Sequence, residues 1–485
     1  MSPWIIAPVL LPALSGALIL LALRNSLAMQ RMASLAATGG LCLLAAGLLS
    51  ATAPEAPQVY RLGDWPLPFG IALMLDPLSA MMVALTAGLA LVVLIHVLAT
   101  GTDRRGRHFH TLFQFQLMGL NGAYLTADAF NLFVFFEVLL IASYGLLIHG
   151  GGRDRLRAGV QYVAVNLFGS ALFLFALATI YAVTGTLNMA DLAVKVAALP
   201  PGDHALIRVA AVMMLAVFAI KGALVPFQFW LPVAYPNAPG AVAALFAVMT
   251  KVGAYAFLRC ATLIFPPGAA PIGGLTGDLV LPAALVTLAV GSIGVLGAKN
   301  AMRQAAFAAI ASMGTVFAAL SVFTPQGTAA GLFYMVHSTL ATAALFLIAD
   351  QARGGQARDG QAPGGHAAAL FMAAAVAMAG LPPLSGFPGK LMVLQSLPPG
   401  AWWVVLGGTF LMLLGFARQG SDSFWKAPAG APAPTRALLA PALLIGALAA
   451  LTLGAGKVID WLIPVARALH APAAYIAANQ LPGAG

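Results

Sequence analysis

The stretch AIKGALVPFQFWLP, residues 219–232, puts Lys221 and Pro226 inside an apolar run long enough to cross a membrane. Proline removes a backbone donor and clashes with the preceding turn. Such a break survives at membrane depth where it is buried in protein or lines a wet cavity. A second stretch, GLPPLSGFPGKLMV at 380–393, repeats the arrangement with Pro382, Pro383 and Pro388 just before Lys390. Paired interrupted segments of this kind point to the working site of a transporter.

Working outward, a membrane span needs about 20 apolar residues. Fourteen runs qualify, near 3–23, 32–52, 75–99, 109–127, 129–149, 159–184, 206–230, 238–263, 278–298, 303–323, 328–350, 367–396, 401–417 and 437–464. Asp128 alone separates the fourth from the fifth. The two broken runs are the seventh and the twelfth, the spacing that two five-span repeats, spans 4–8 and 9–13, produce. The fold class expected is an all-α polytopic membrane protein of about 14 helices, with helices 7 and 12 broken. Its single membrane domain, 1–485, divides into helices 1–3 (1–100), a first repeat (109–263), a second repeat (278–417), and helix 14 with a short interfacial tail (437–485).

Composition agrees. The 485 residues are 61% hydrophobic and 8% charged, with mean hydropathy +0.94, whereas a soluble domain carries roughly 25% charged residues. The net charge of +10 reads as topology rather than as nucleic-acid binding. Loops after odd-numbered spans hold fifteen basic residues and the opposite side six, Arg259 among the latter. Basic loops stay cytoplasmic, which places both termini on the opposite, outer side. The apolar run starting at Trp4 reads as the first span, not a cleaved leader. Cys42 and Cys260, both in apolar segments, make no disulfide or metal framework.

Charge inside a span costs about 2.5–3.5 kcal/mol on insertion scales, so its default reading is functional. Glu137 lies mid-span in FNLFVFFEVLLIASYGLL (130–147). A lone carboxyl there is either protonated or partnered, and Lys221 is its natural partner; a static ion pair fixing helix packing is the alternative. Lys251, in AVMTKVGAYAFLR (247–259), has Thr250 beside it and Tyr255 one turn on. A lysine without an adjacent acid is a reversible proton carrier, against the alternative of snorkelling. His337 opens HSTLATAALFLIAD (337–350) and can relay a proton between its two nitrogens or be a hydrogen-bonded core residue; Ser338, Thr339 and Thr342 could hold water beside it. Lys390 mirrors Lys221 and is the candidate for the opposite exit. Asp76 and Asp128 read as structural residues at span ends, and His108, His110 and His149 as interfacial.

No phosphate loop, dinucleotide fingerprint, HExxH or CxxC occurs, and mid-span paired histidines for haem are missing. No cofactor, metal or catalytic residue is expected, and no enzyme activity. Energy has to come from an ion gradient or from a membrane partner.

The run KGALVPFQFWLPVAYPNAPGAVAALFAVMTKVGAYAFLR (221–259), with FFEVLLIASYGLL (135–147) and LPPLSGFPGK (381–390), resembles the antiporter-like proton-pumping subunits. That superfamily is shared by respiratory complex I, membrane-bound hydrogenases and Mrp (Pha) cation/proton antiporters. TGTLNMADLA (184–193) and the chain length resemble the D-type branch of the multisubunit Mrp/Pha antiporters. The resemblance implies fourteen helices, two inverted five-helix repeats, and a midplane row of titratable residues matching Glu137, Lys221, Lys251 and Lys390. It also implies partnership with other membrane subunits of a hetero-oligomeric complex that exchanges Na+ or K+ for protons. Many members carry a lysine in the eleventh span where Thr342 stands here, which leaves the central relay to His337 and water. Two rival readings are a proton-pumping component of a redox-driven complex and a non-transporting membrane scaffold.

Overall fold

The computed structural model describes residues 3–353, 365–425 and 435–479. Among them, twelve helices are long and apolar enough to cross a membrane. The first part of the chain supplies α1 (Ala7–Leu21), α2 (Leu27–Ser50), α3 (Pro77–Thr100), α4 (Phe109–Leu125), α5 (Ala129–Leu147) and α6 (Arg153–Thr184). Next come the short α7 (Met189–Ala197), then α8 (His204–Gly222), α9 (Leu231–Asn237), α10 (Gly240–Leu245) and α11 (Met249–Leu263). The remainder is α12 (Leu275–Gly297), α13 (Ala301–Leu320), α14 (Pro325–Arg353), α15 (Gly365–Ala379), α16 (Gly386–Ser396), α17 (Pro399–Gly420), α18 (Thr435–Leu453), α19 (Ala455–His470) and α20 (Ala473–Ala478).

Two expected runs fall outside the twelve, each for a physical reason. The fourth, α4, is only 17 residues long, because Asp128 caps α5 by accepting from the Asn131 N–H at 2.7 Å. The twelfth is divided into α15 and α16. The last run, expected to span 437–464, ends earlier, at Leu453. Beyond Gly454, α19 carries Lys457 and Asp460 outward and buries Leu462, Val465, Ala466 and Leu469 against α14 and α11. The described part of the tail is likewise not loose: Tyr475 of α20 is buried with its ring 5.0 Å from the Arg259 guanidinium.

The five-helix repeat is visible in the packing. Were a Cβ added to Gly119 it would meet the Leu139 backbone, and at Gly122 the Phe135 ring; at Gly291 it would meet the Ala311 backbone, and at Gly294 the Phe307 ring. All four positions recur at one offset of 172 residues. Small residues let α4 cross α5, and α12 cross α13, at backbone contact. The other neighbours recur too: α6 packs on α8 as α14 does on α15 and α16, and α11 and α17 close back on α4 and α12. Five is odd, so the second set crosses in the opposite sense. At the same offset Glu137 falls on Ala309, and the second set has no carboxyl at that place.

A hairpin absent from the expected all-helical pattern, β1 (Gln58–Arg61) paired antiparallel with β2 (Ala72–Leu75), precedes α3. Strands of four residues give too short a period-2 signal to read. Three polar groups expected in loops or at interfaces are buried. Arg259 is 4% exposed and pairs with Asp76 at 2.7 Å, where Asp76 also caps α3 in a capping box with Ser79. His110 and His149 are buried too: Asp103 takes Arg31 at 2.6 and 2.8 Å and His110 at 3.1 Å, while His149 bonds the Thr102 carbonyl. Arg358 and Lys426, counted among the basic loop residues, lie outside the described residues.

Burial alone would raise the Asp103 carboxyl pKa, but Arg31 and His110 overcome it and hold it below the usual value. A depressed folded-state pKa contributes stability above the unfolded carboxylate pKa of about 3.9, which is lost as pH falls through the folded value. Asp103→Asn is therefore expected to cost about 2 kcal/mol near pH 7. Thermal unfolding of the purified complex should show the gap to wild type narrowing below about pH 4; a pH-independent gap would rule out the ionised form as its source.

Candidate functional site

Each helix break sits beside a buried lysine. The helix α8 stops at Gly222, with Ala223 in the left-handed region at φ 54°. Pro226 lies in the turn that follows. The Ile220 carbonyl accepts from the Ala223 N–H at 3.2 Å and from Trp230 Nε1 at 3.1 Å, so this carbonyl at the break is satisfied within protein. Lys221, on the last turn, is 9% exposed. Its Nζ donates to Asn166 Oδ1 of α6 at 3.1 Å and lies 5.8 Å from the Phe136 ring centre. A cavity of about 20 Å³ lined by Phe136, Tyr162, Asn166, Trp230 and Met249 adjoins it, room for about one water.

Glu137 and Lys221 are not in direct contact: among the described residues no ion pair joins them. The link runs through α6. The Ser170 hydroxyl donates to Glu137 Oε1 and is 3.0 Å from the Asn166 carbonyl, and Asn166 holds Lys221. Asn166 and Ser170 are i and i+4, neighbours on one helix face. Sequence reasoning misses both, since they lie within an ordinary run; the apolar setting of two polar residues four apart is the available signal.

The eighth span holds a third break that contains no proline at the break itself. Between α10 and α11, Ala247, Val248, Met249 and Lys251 bond to carbonyls three residues back, and Tyr235 Oη donates to the Phe246 carbonyl. Lys251 stands on the first turn after it, fully buried. Its Nζ reaches Ser312 Oγ at 3.4 Å and Met313 Sδ at 3.2 Å on α13. Two residues on, Gly253 meets the backbone of α8: a Cβ there would be 2.7 Å from the Gly222 nitrogen and 3.0 Å from the Lys221 carbonyl carbon. This contact locks the lysine-bearing turns of the seventh and eighth spans together.

In the second set, Gly380 (φ 76°) ends α15. Pro382 and Pro383 fill the turn, but Pro388 does not: it lies in the first turn of α16, where a missing N–H has no intrahelical partner to lose. Lys390, 5% exposed, donates to the Ala379 carbonyl at 2.9 Å and to Thr409 Oγ1 of α17 at 2.8 Å. His337 of α14 is fully buried, and its Nδ1 is 2.9 Å from Ser385 Oγ at the same break. His337 Nε2 and Thr342 Oγ1 have no partner among the described residues, whereas Ser338 and Thr339 bond back to the Met335 carbonyl. Among the described residues, no cluster of His, Cys, Asp and Glu could hold a metal ion.

This is a polytopic helical membrane protein whose ionisable side chains are gathered inside the bundle at interruptions in its helices. The sequence profile described as "NADH:quinone oxidoreductase/Mrp antiporter, TM" matches residues 126–415, and the chain belongs to that family. It is 39% identical over 459 residues to the D component of a probable K(+)/H(+) antiporter of Rhizobium meliloti, covering 85% of each chain. It is 35% identical to the D component of a Na(+)/H(+) antiporter of Bacillus subtilis, covering 99% of each. Its fold matches a chain in the Mrp complex of a Dietzia species with a TM-score of 0.89 and 27% identity, over 99% of this chain and all of that one.

Proposed function

We propose that this chain is one component of a multisubunit antiporter that exchanges a monovalent cation, Na+ or K+, for protons across a bacterial inner membrane. It is part of a transporter rather than an enzyme, and the rest of the complex is other membrane subunits. The observation that carries the reading is the row Glu137, Lys221, Lys251, His337 and Lys390. Each is held by a hydroxyl or amide of a neighbouring segment, and among the described residues none of the five is in an ion pair. Four of the five partners are Ser or Thr. A hydroxyl can accept from an ammonium and, by rotating, donate to the neutral amine, so both protonation states are accommodated without repacking. A fixed counter-ion would favour one state only.

In this reading the two five-helix sets form two half-units, each with its lysine at a break, joined through Lys251 and His337. The basic loops face the cytoplasm and both termini the periplasm. Glu137→Gln is expected to abolish exchange by at least about tenfold, since it removes the carboxyl that ends the row. Fluorescence antiport assays on everted vesicles, with sodium, potassium and lithium compared, would report it. Normal exchange by this variant at wild-type expression would exclude the role.

A further inference from the structure

On the side of the basic loops, a cavity of about 620 Å³ opens where the α1–α2 turn meets the α3–α4 connection. Arg24, Arg104, Arg107 and His108 line it, and all four are exposed. None of the three arginines is in an ion pair among the described residues. The one acid in the wall, Asp103, has both oxygens taken by Arg31 and His110, so the cavity is left with three unopposed guanidiniums. The N-terminus of α4 points its uncapped end here: His108 is the N-cap residue, in the left-handed region at φ 65°, and no side chain caps the first turn. His110, in that first turn, is fully buried in the wall, and its Nδ1 has no partner among the described residues. Free helix-terminal N–H groups and arginine forks together recognise phosphate oxygens.

The helix that leads into the cavity wall at Arg24 selects the source of the phosphate. Leu14, Leu18 and Leu21 of α1 are exposed by 66, 53 and 77%. Their spacing of i, i+4 and i+7 makes one stripe, and it ends three residues before Arg24. On α2, Met29 and Met32 are exposed as well. An acyl chain laid along this stripe brings its headgroup to the arginines. We infer that the α1–α2 turn and the α3–α4 connection form a binding site for the phosphate headgroup of an anionic phospholipid, with its chain against Leu14, Leu18 and Leu21. The site stands whether or not the protein conducts ions.

The test uses the whole complex in phosphatidylcholine vesicles containing about 10 mol% of a photoactivatable phosphatidylglycerol. Wild type should be labelled on the peptides around Leu18–Met32 and Asp103–His110, and an equal amount of photoactivatable phosphatidylcholine should label them about fivefold less. Arg24→Gln/Arg104→Gln/Arg107→Gln should lower phosphatidylglycerol labelling there to the phosphatidylcholine level and leave other labelled peptides unchanged. Millimolar inorganic phosphate should not compete. Equal labelling by the two lipids, or no label at these peptides, would overturn the inference. Full competition by inorganic phosphate would overturn the lipid source and assign the cavity to a soluble anion. Should the triple variant not assemble, the comparison of the two lipids on wild type decides alone.

Discussion

Replacing Lys390 by arginine is expected to leave a complex that assembles and no longer exchanges cations for protons, a loss of at least about a hundredfold, equivalent to roughly 2.7 kcal/mol. A guanidinium keeps the positive charge but does not release a proton at any accessible pH. The two acceptors around Nζ explain why the distinction matters. The Ala379 carbonyl can only accept, whereas Thr409 Oγ1 can turn from acceptor to donor when the amine becomes neutral. A site built only to hold a cation has no use for that reversal. Lys390→Gln separates the possibilities further: if the residue is a fixed charge, arginine works and glutamine fails, and if it titrates, both fail. The aliphatic part of Lys390 packs on Gly380, where a Cβ would stand 2.5 Å from Cδ, so the bulkier arginine has to be checked for assembly by native gel. Thr409→Val should keep assembly and slow exchange by about tenfold, since the hydroxyl is lost but not the lysine. Wild-type exchange by Lys390→Arg would remove this residue from the proton path.

The broken spans are legible because proline and lysine inside an apolar run contradict each other unless function resolves them. Pro226, Pro382 and Pro383 mark their breaks directly. Pro388 does not, since proline in a first helical turn is tolerated and looks the same in sequence. The break before Lys251 carries no such mark: tertiary contacts, the Tyr235 hydroxyl on the Phe246 carbonyl among them, stabilise three-residue hydrogen bonding in a segment with ordinary helical composition. The glycine pairs that carry the repeat are invisible for another reason. Only the three-dimensional crossings say which of the 51 glycines meet a backbone. Charge counting assigns Arg259 to the surface, because the partner that buries it, Asp76, lies 183 residues away. The burial of His110 is hidden at one remove: its partner Asp103 is only seven residues away, but Asp103 is held by Arg31, 72 residues off. A direct Glu137 and Lys221 pair is a reasonable electrostatic expectation, and it gives way to two polar side chains of α6 that sequence order does not bring near either charge.

That substitution of a bridge for a pair has a consequence for how the two charges communicate. Asn166→Leu is expected to inactivate exchange by at least about tenfold, roughly 1.4 kcal/mol, although residue 166 is not ionisable. It removes the acceptor of the Lys221 ammonium and leaves that donor unsatisfied in a buried place, a cost of about 1–3 kcal/mol. It should also uncouple Glu137 from Lys221. In the native background, Glu137→Gln and Lys221→Ala are expected to be far from additive, because each removes a charge held by the same turn of α6, Glu137 by Ser170 and Lys221 by Asn166. In the Asn166→Leu background the interaction energy should shrink towards zero, since coupling that runs through α6 has been cut. Residual exchange rates low enough to defeat kinetics can be replaced by the thermal stability of the assembled complex, measured over the same cycle. Ser170→Ala provides an independent cut on the Glu137 side: it removes the hydroxyl donor to Oε1 while leaving Lys221 on Asn166. If the coupling persists undiminished in both backgrounds, the two charges act on each other directly through space, and Asn166 and Ser170 serve only to pack α6 against α5 and α8.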